Sequence, residues 1–390
     1  MSILVAMSGF NQQEAAALRH LLYPYEVAFV AELDDSDLII CRDHHPVFSK
    51  PTIRTPSIGE SRSASQEPVC CDAGVVDLPF DLIYECAKRF RIVMYPKLSF
   101  EYRLSARIPF QYNIIPSSIR NRLLRMHTVD SSLSHHLANE TYRKILIKAF
   151  SQLGLSLQRK KAPLFVITHD VDTEKGLRRA SSFVRVEDEL DVQSTWFLVS
   201  NEYPIGSDAA AGLAGFRIGS HDIKHDGRLI RIRRHEELVQ RLKRSKEELE
   251  RKFNRSVDCF RAPLLQFSGR IVAALSEAGY KFDFSVPCWE PVHPSTMSGF
   301  GIELVQPFEI NGVTEVPLTL FQDHQVLNVL GMNTHEGVKF WLEQAKLVRA
   351  CGGDIVLLVH PDYSYSQDLR AYRQLLTALL ELHENSCVHQ

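Results

Sequence analysis

The chain has 390 residues, 45% of them apolar, and its 45 Lys and Arg against 47 Asp and Glu leave a formal net charge of −2. That length exceeds one average domain and predicts two, one of them barrel-sized. Balanced charge with no long block of one sign speaks against nucleic acid as a partner, and no apolar run approaches the roughly 18 residues of a membrane span. Eight cysteines are scattered, and with no Cys-x-x-Cys pair among them they fit reduced thiols better than a disulfide frame. Met1 to Gly9 lacks a basic leader and a cleavage site, so no signal peptide is expected and the cytoplasm is the default location.

In chain order, Ile3 to Ser8 reads as a strand, Gln12 to Leu22 as a helix, and Glu26 to Glu32 and Asp37 to Cys41 as strands, which together predict a small α/β unit. Its first loop, Ser8-Gly9-Phe10-Asn11, is followed by neither a Walker pattern nor Gly-x-Gly-x-x-Gly, so it reads as a connector. Pro46 to Pro68, rich in Pro, Ser, Arg and Gly, predicts an exposed loop. Helical spacing returns over Pro79 to Phe90 and Asn139 to Leu153, whereas Tyr95 to Pro116 gives no assignable pattern. A boundary is expected near residue 160, at Arg-Lys-Lys and Pro163. Residues 1–160 form the smaller N-terminal α/β domain of this reading and residues 161–390 the larger one.

The second part alternates regularly. Strands are expected at Leu164 to Thr168, Ser194 to Val199, Phe216 to Gly219, Val257 to Phe260, Tyr280 to Val286, Val313 to Leu320 and Ile355 to Val359. Helices are expected near Leu177 to Leu190, His235 to Phe253, Gly269 to Ala278, His335 to Ala350 and Gln367 to Leu382. Such alternation predicts a parallel barrel or a doubly wound sheet, in which all strand C-terminal ends open onto one face.

Unusual polar residues collect at those ends. Asp170 and Asp172 follow the first strand, His221 and His225 the third, Arg261 the fourth and His360 the last. In an Asp-x-Asp pair one carboxylate can grip a cation while the other serves as a base. His-x3-His brings two imidazoles to one ion if the segment forms a helical turn. Two imidazoles and one carboxylate with open positions make a catalytic type of metal site. Arg261 can hold the free Asp ionised through a bidentate pair. Trp196, Tyr203 and Trp289 at the expected rim are candidates for stacking on sugar faces, with packing beneath loops the equal alternative. Trp341 reads as core, and Asp323 and His324 as a polar loop near the mouth.

These residues resemble a known pattern. Thr168-His-Asp-Val-Asp172, Ser220-His221-x3-His225, Arg261-Ala-Pro263 and Leu358-Val-His360, in this order, are similar to motifs of the polysaccharide deacetylases, the NodB-homology group or carbohydrate esterase family four. Gly279 to Ser285, containing Asp283, resembles the remaining motif but lacks its Asp-Trp pairing. The acids stand as Asp-Val-Asp, as in one branch of the family, and not adjacent. The resemblance implies an irregular (β/α) barrel of the polysaccharide-deacetylase type binding one divalent ion, zinc being the favoured one. It also implies Asp172, His221 and His225 as ligands, Asp170 as general base, Arg261 as its orienting partner and His360 as general acid. The implied activity is removal of an N-acetyl group from an acetamido sugar of a glycan, oligosaccharide or activated precursor. The alternatives are hydrolysis of another non-peptide C–N bond and a catalytically silent glycan-binding protein.

Overall fold

The first helix start of the chain is written into local chemistry. Asn11 accepts hydrogen bonds from the N–H groups of Gln13 and Glu14, and the Glu14 carboxylate in turn accepts one from Asn11 N–H. That reciprocal box starts a helix where the apolar spacing predicts it. This computed structural model describes residues 2–42, 49–58, 60, 67–72, 74–105, 117–363 and 369–387. In order they form β1 (Ile3–Ser8), α1 (Gln12–Leu22), β2 (Val27–Val30), β3 (Leu38–Arg42), β4 (Thr52–Thr55), β5 (Val69–Asp72), β6 (Val75–Asp77), α2 (Leu82–Met94), α3 (Phe100–Ser105), α4 (Ser117–Met126) and α5 (Ala138–Gln152).

Two compact units result, one of Met1–Ile92 with Leu137–Ala162, the other of Val93–His136 with Pro163–Gln390. In the first, strands run in the order β2-β1-β3-β4-β6-β5, all neighbours parallel except β5 against β6. Arg42 at the end of β3 bridges Glu14 at 2.6 Å and Asp81 at 2.7 Å. Fully buried Arg143 on α5 donates to the Leu21 carbonyl at 2.7 Å and to Glu140 at 2.8 Å, tying α5 to the last turn of α1. An isolated guanidinium could not be buried without those acceptors.

Two expectations change here. The loop expected over Pro46 to Pro68 contains β4, whose Thr and Ile suit a central strand; residues 46–48, 59 and 61–66 of it lie outside the described residues. Residues 93–136, expected in the first unit, pack with the second, because their contacts are there. Ser99 N–H donates to the Ser295 carbonyl at 3.0 Å, Val129 N–H to that of Pro291 at 3.0 Å, and the Tyr102 hydroxyl to that of Gly227. Of the stretch from Tyr95 to Pro116, α3 is the regular part, and residues 106–116 lie outside the described residues.

The second unit continues with β7 (Phe165–Val171), α6 (Glu174–Glu189), β8 (Ser194–Leu198), α7 (Ser207–Gly212), β9 (Arg217–Ser220), α8 (His235–Phe253), β10 (Cys259–Phe260), α9 (Gly269–Glu277), β11 (Phe282–Asp283), the hairpin β12 (Glu290–His293) and β13 (Ser298–Phe300), β14 (Phe308–Ile310), β15 (Val313–Glu315), α10 (Thr334–Ala350), β16 (Ile355–Val359) and α11 (Leu369–Cys387). Its eight-stranded sheet has the order β14-β15-β11-β10-β9-β8-β7-β16, parallel throughout except for β14. Apolar strands connected through helices have this parallel solution.

The sheet curls into an irregular half-barrel. Val316 and Leu318 N–H groups donate to Asp283 and Val286, and two residues on, Leu320 N–H reaches the Val356 carbonyl of β16 at 3.2 Å. The strand expected over Val313 to Leu320 is thus regular only in β15, yet its remainder links the two sides of the curl. Phe197, Cys259, Leu318, Val356 and Leu358 fill the interior.

Gly219 shows how tight that interior is. A Cβ there would stand 2.4 Å from the Phe197 ring and 3.0 Å from Cys259 Sγ, two residues before His221. Gly219→Ala should therefore cost about 1–3 kcal/mol by overpacking. Urea unfolding of the variant checks this; an unchanged midpoint would contradict the packing described.

Candidate active site at the strand ends of the second unit

Strand β7 presents alternate residues to opposite faces, so Thr168, Asp170 and Asp172 share one side and His169 and Val171 the other. The strand runs to Val171, longer than expected, and places Asp170 within its pairing with β8. Two neighbours fix its end. Asp362 accepts the N–H of Asp172 at 3.1 Å and of Thr173 at 2.8 Å, plus the Thr173 hydroxyl at 2.6 Å. Tyr203 donates its hydroxyl to the Val171 carbonyl at 2.6 Å.

Asp170 and Arg261 form a buried pair, Nη1 to Oδ1 at 2.9 Å. The contact is single and not bidentate as expected, since Nη1 is shared with Thr168 Oγ1 at 2.8 Å while Nε donates to the Phe284 carbonyl at 3.0 Å. The guanidinium also lies over the Phe197 ring, 4.6 Å from its centroid. Asp170 Oδ2 is left facing the pocket, 3.9 Å from His221 Nε2 and 4.0 Å from His360 Nε2.

Asp172, His221 and His225 converge. Asp172 Oδ1 lies 3.4 Å from Nε2 of each histidine, and one potential ligand atom from each residue falls within 4.8 Å of the other two. His221 Nδ1 meets the Arg261 carbonyl at 2.8 Å. A carbonyl only accepts, so Nδ1 carries the proton and neutral His221 turns a bare Nε2 lone pair inward. Asp172 Oδ1 is buried and makes no hydrogen bond. Lone pairs crowded around an unsatisfied buried oxygen suit a divalent cation, and this donor set fits one. Burial opposes ionisation of Asp172, yet His225 and His221 hold its carboxyl well below the usual range. Burial likewise lowers His225, while at His221 the two nearby carboxylates outweigh burial and raise it.

The helical turn expected for His-x3-His is absent, a correction to the spacing argument. Residues 221–228 form a loop in which Asp222 takes φ +68°, a left-handed geometry that short Asp side chains tolerate. Asp222 is clamped by Arg241 at 2.7 Å, and Arg241 also binds Asp226 at 2.8 Å.

His360 directly follows β16 and donates Nδ1–H to Asp323 at 2.6 Å, while its backbone N–H reaches the other Asp323 oxygen at 2.7 Å. Burial alone would lower the imidazole; Asp323 overrides it and pushes the pKa up to about 10. Asp323, read from sequence as part of a polar loop, is therefore the partner of His360. Its place just beyond an apolar run is the one sequence feature that sets it apart, and that feature does not name His360. Asp283 is instead buried beside Ser285, whose hydroxyl also accepts the Ala262 N–H, so it braces the loop carrying Arg261.

Trp196 and Tyr203 are core residues and not rim platforms. Trp196 is fully buried and stacked on His169 at 4.1 Å, because its strand position points behind the sheet. Trp289 stacks on His136 at 3.6 Å, and Trp341 is core. The cleft above the site, with about 620 Å³ of open space, is bordered instead by Leu124, Leu265, Pro294, Gln322, His324 and Tyr363.

The profile of the family described as polysaccharide deacetylase matches residues 158–282. Over this stretch the chain is similar to the polysaccharide deacetylase family. The match holds Asp170, Asp172, His221, His225 and Arg261, whereas His360 lies beyond it. Among solved structures, a putative polysaccharide deacetylase from Mycobacterium smegmatis is similar at 16% identity, over 60% of this chain and 93% of its own, with a TM-score of 0.45. A family 4 carbohydrate esterase from Streptococcus mutans is similar at 15% identity, over 57% and 83%, TM-score 0.40. A family 4 pseudoenzyme from Bacillus anthracis is similar at 14%, over 57% and 62%, TM-score 0.36. No curated protein matches the chain.

Division of labour between the two acids gives the first expectation at this site. Asp170→Asn should retain bound metal and lose activity by about 10²–10⁴-fold, whereas His225→Ala should lose both; metal analysis beside turnover checks this, and equal metal loss would contradict the assignment. A second concerns Asp323. With it, His360 stays protonated towards about pH 10; without its charge, burial prevails and the proton leaves at lower pH. The alkaline limb of kcat in Asp323→Asn should move down by at least about one pH unit, with metal content unchanged.

Proposed function

We propose that this chain is a metal-dependent hydrolase that removes the N-acetyl group from an acetamido sugar, with zinc the favoured ion. The observation that carries the reading is the position of Asp170 Oδ2, facing a buried metal-type trio on one side and His360 Nε2 on the other. Asp172, His221 and His225 would hold the ion, whose contribution when bound is to polarise the amide carbonyl and acidify water.

The protein's own groups account for the proton traffic. Arg261 holds Asp170 Oδ1 and leaves Oδ2 turned towards the cleft, so this free oxygen can take a proton from an attacking water. The water oxygen bonds to the carbonyl carbon, and the C–N bond breaks as acetate leaves. An amine is a poor leaving group unless protonated, and His360, held cationic by Asp323, can supply that proton. The product is a free amino sugar plus acetate. A partly apolar cleft lined by Leu124, Leu265 and Tyr363 suits the methyl and ring faces of such a substrate. A silent glycan-binding protein would have no use for both a base and an acid beside its metal ligands.

Acetate release from N-acetylated chito-oligosaccharides should be measurable, vanish with chelator and return with zinc. Metal-loaded protein that releases no acetate from any acetamido sugar would overturn the proposal.

A further inference from the structure

Helix α4 sits at the lip of the cleft with the wrong face outwards for a helix in water. Leu124 is buried against Val292 and Val329 and lines the cleft, Asn121 bonds His324, and Arg125 donates to the Asn328 carbonyl at 2.7 Å. The helix is thus anchored. Yet Ile119, Leu123 and Met126, at i, i+4 and i+7 on one face, are 53%, 48% and 73% exposed. With Tyr95, Phe100 and Val129 they are six of the ten large apolar side chains that stand exposed among the described residues.

Charge on the helix has one sign. Ser117–Met126 contains Arg120, Arg122 and Arg125 and no acid, in a chain whose net charge is −2. An apolar stripe on a helix whose charged residues are all arginines has the chemistry of an interfacial helix on an anionic lipid surface. Its size points the same way. Three side chains and their neighbours offer on the order of 300 Å², short of the roughly 600 Å² per partner that a small stable protein interface buries. Such an attachment lies on a bilayer and does not cross it, and no helix among the described residues is long and apolar enough to span one.

We infer that α4 docks this unit on an anionic membrane surface, and that the acetamido sugar is presented there on a lipid. The second half of that inference rests on the proposed deacetylase activity; the first does not. Because α4 borders the cleft through Leu124, docking would bring the mouth beside lipid headgroups, where a lipid-linked sugar projects. Ile119, Leu123 and Met126 point away from the cleft-lining Leu124 and have no part in the chemistry described above.

The test is flotation of the full chain with vesicles of phosphatidylcholine alone or with phosphatidylglycerol. Binding to the phosphatidylglycerol vesicles is expected, reduced at least tenfold in Ile119→Ser/Leu123→Ser/Met126→Ser, and weakened by Arg122→Glu and by salt. The triple variant should deacetylate soluble chito-oligosaccharides as the parent does, which also reports that it is folded. It should be at least tenfold slower on N-acetylglucosamine carried by polyprenyl phosphate in those vesicles. No flotation, equal flotation on both vesicle types, or flotation untouched by the triple variant would overturn docking. A parent that is dimeric through this face, made monomeric by the variant and indifferent to vesicles, would identify a second copy as the occupant and overturn it equally. Flotation as expected with no acetate from either substrate would leave docking standing and refute the deacetylase reading instead.

Discussion

Charge neutralisation in a buried pocket is the constraint on which the second unit depends. Two carboxylates, an arginine and imidazoles are withdrawn from water at the strand ends, and each must recover the hydration it loses. Arg261 answers Asp170, and Asp323 answers His360. Asp172 faces two imidazoles whose neutral forms offer it lone pairs and not charge. A divalent cation would supply that charge; without one the two carboxylates raise the pKa of His221 against burial. Binding of a cation here would therefore be coupled to deprotonation of this histidine.

The same constraint explains why the scaffold is rigid there. Behind β7, His169 is stacked on Trp196 and bonded to Glu187 at 2.6 Å, and Glu187 also takes the hydroxyls of Ser194 and Tyr372, each at 2.6 Å. Both faces of the strand thus carry buried polar groups with partners inside the protein, Asp172 Oδ1 excepted. A slip of one residue would exchange Asp170 for His169 and leave every one of these groups unpaired. Register, burial and chemistry are specified by one set of contacts.

Much of this was legible in the sequence because it depends on local pattern. Strand cores such as Ile355 to Val359 and helices such as His235 to Phe253 follow from periodicity and length, and polar residues directly after them mark the strand ends. What was not legible depends on partners distant in the chain. Nothing near Trp196 or Tyr203 announces that one packs on His169 and the other caps Val171, so sugar stacking and packing beneath loops read as alternatives of equal standing. Asp323 looks like any loop carboxylate until β16 brings His360 beside it. Residues 93–136 carry too little regular pattern to reveal that their hydrogen bonds go to Gly227, Pro291 and Ser295.

The histidine loop shows why a spacing argument can reach the right residues by the wrong geometry. His-x3-His suggests two imidazoles one helical turn apart, but a helix would have aligned its own N–H and C=O groups and left no route for His221 Nδ1 to the Arg261 carbonyl. The chain instead turns through Asp222 in the left-handed region, a conformation that costs on the order of 1 kcal/mol. Arg241 offsets that cost from outside the loop. Held on α8, it reaches both oxygens of Asp222 and continues to Asp226, and its own pKa is raised by these partners. The two imidazoles are thus aimed by a salt-bridged arginine that touches neither of them. A loop fixed in this way can bring both Nε2 atoms to one carboxylate oxygen, whereas helical spacing alone would have left their orientation to chance.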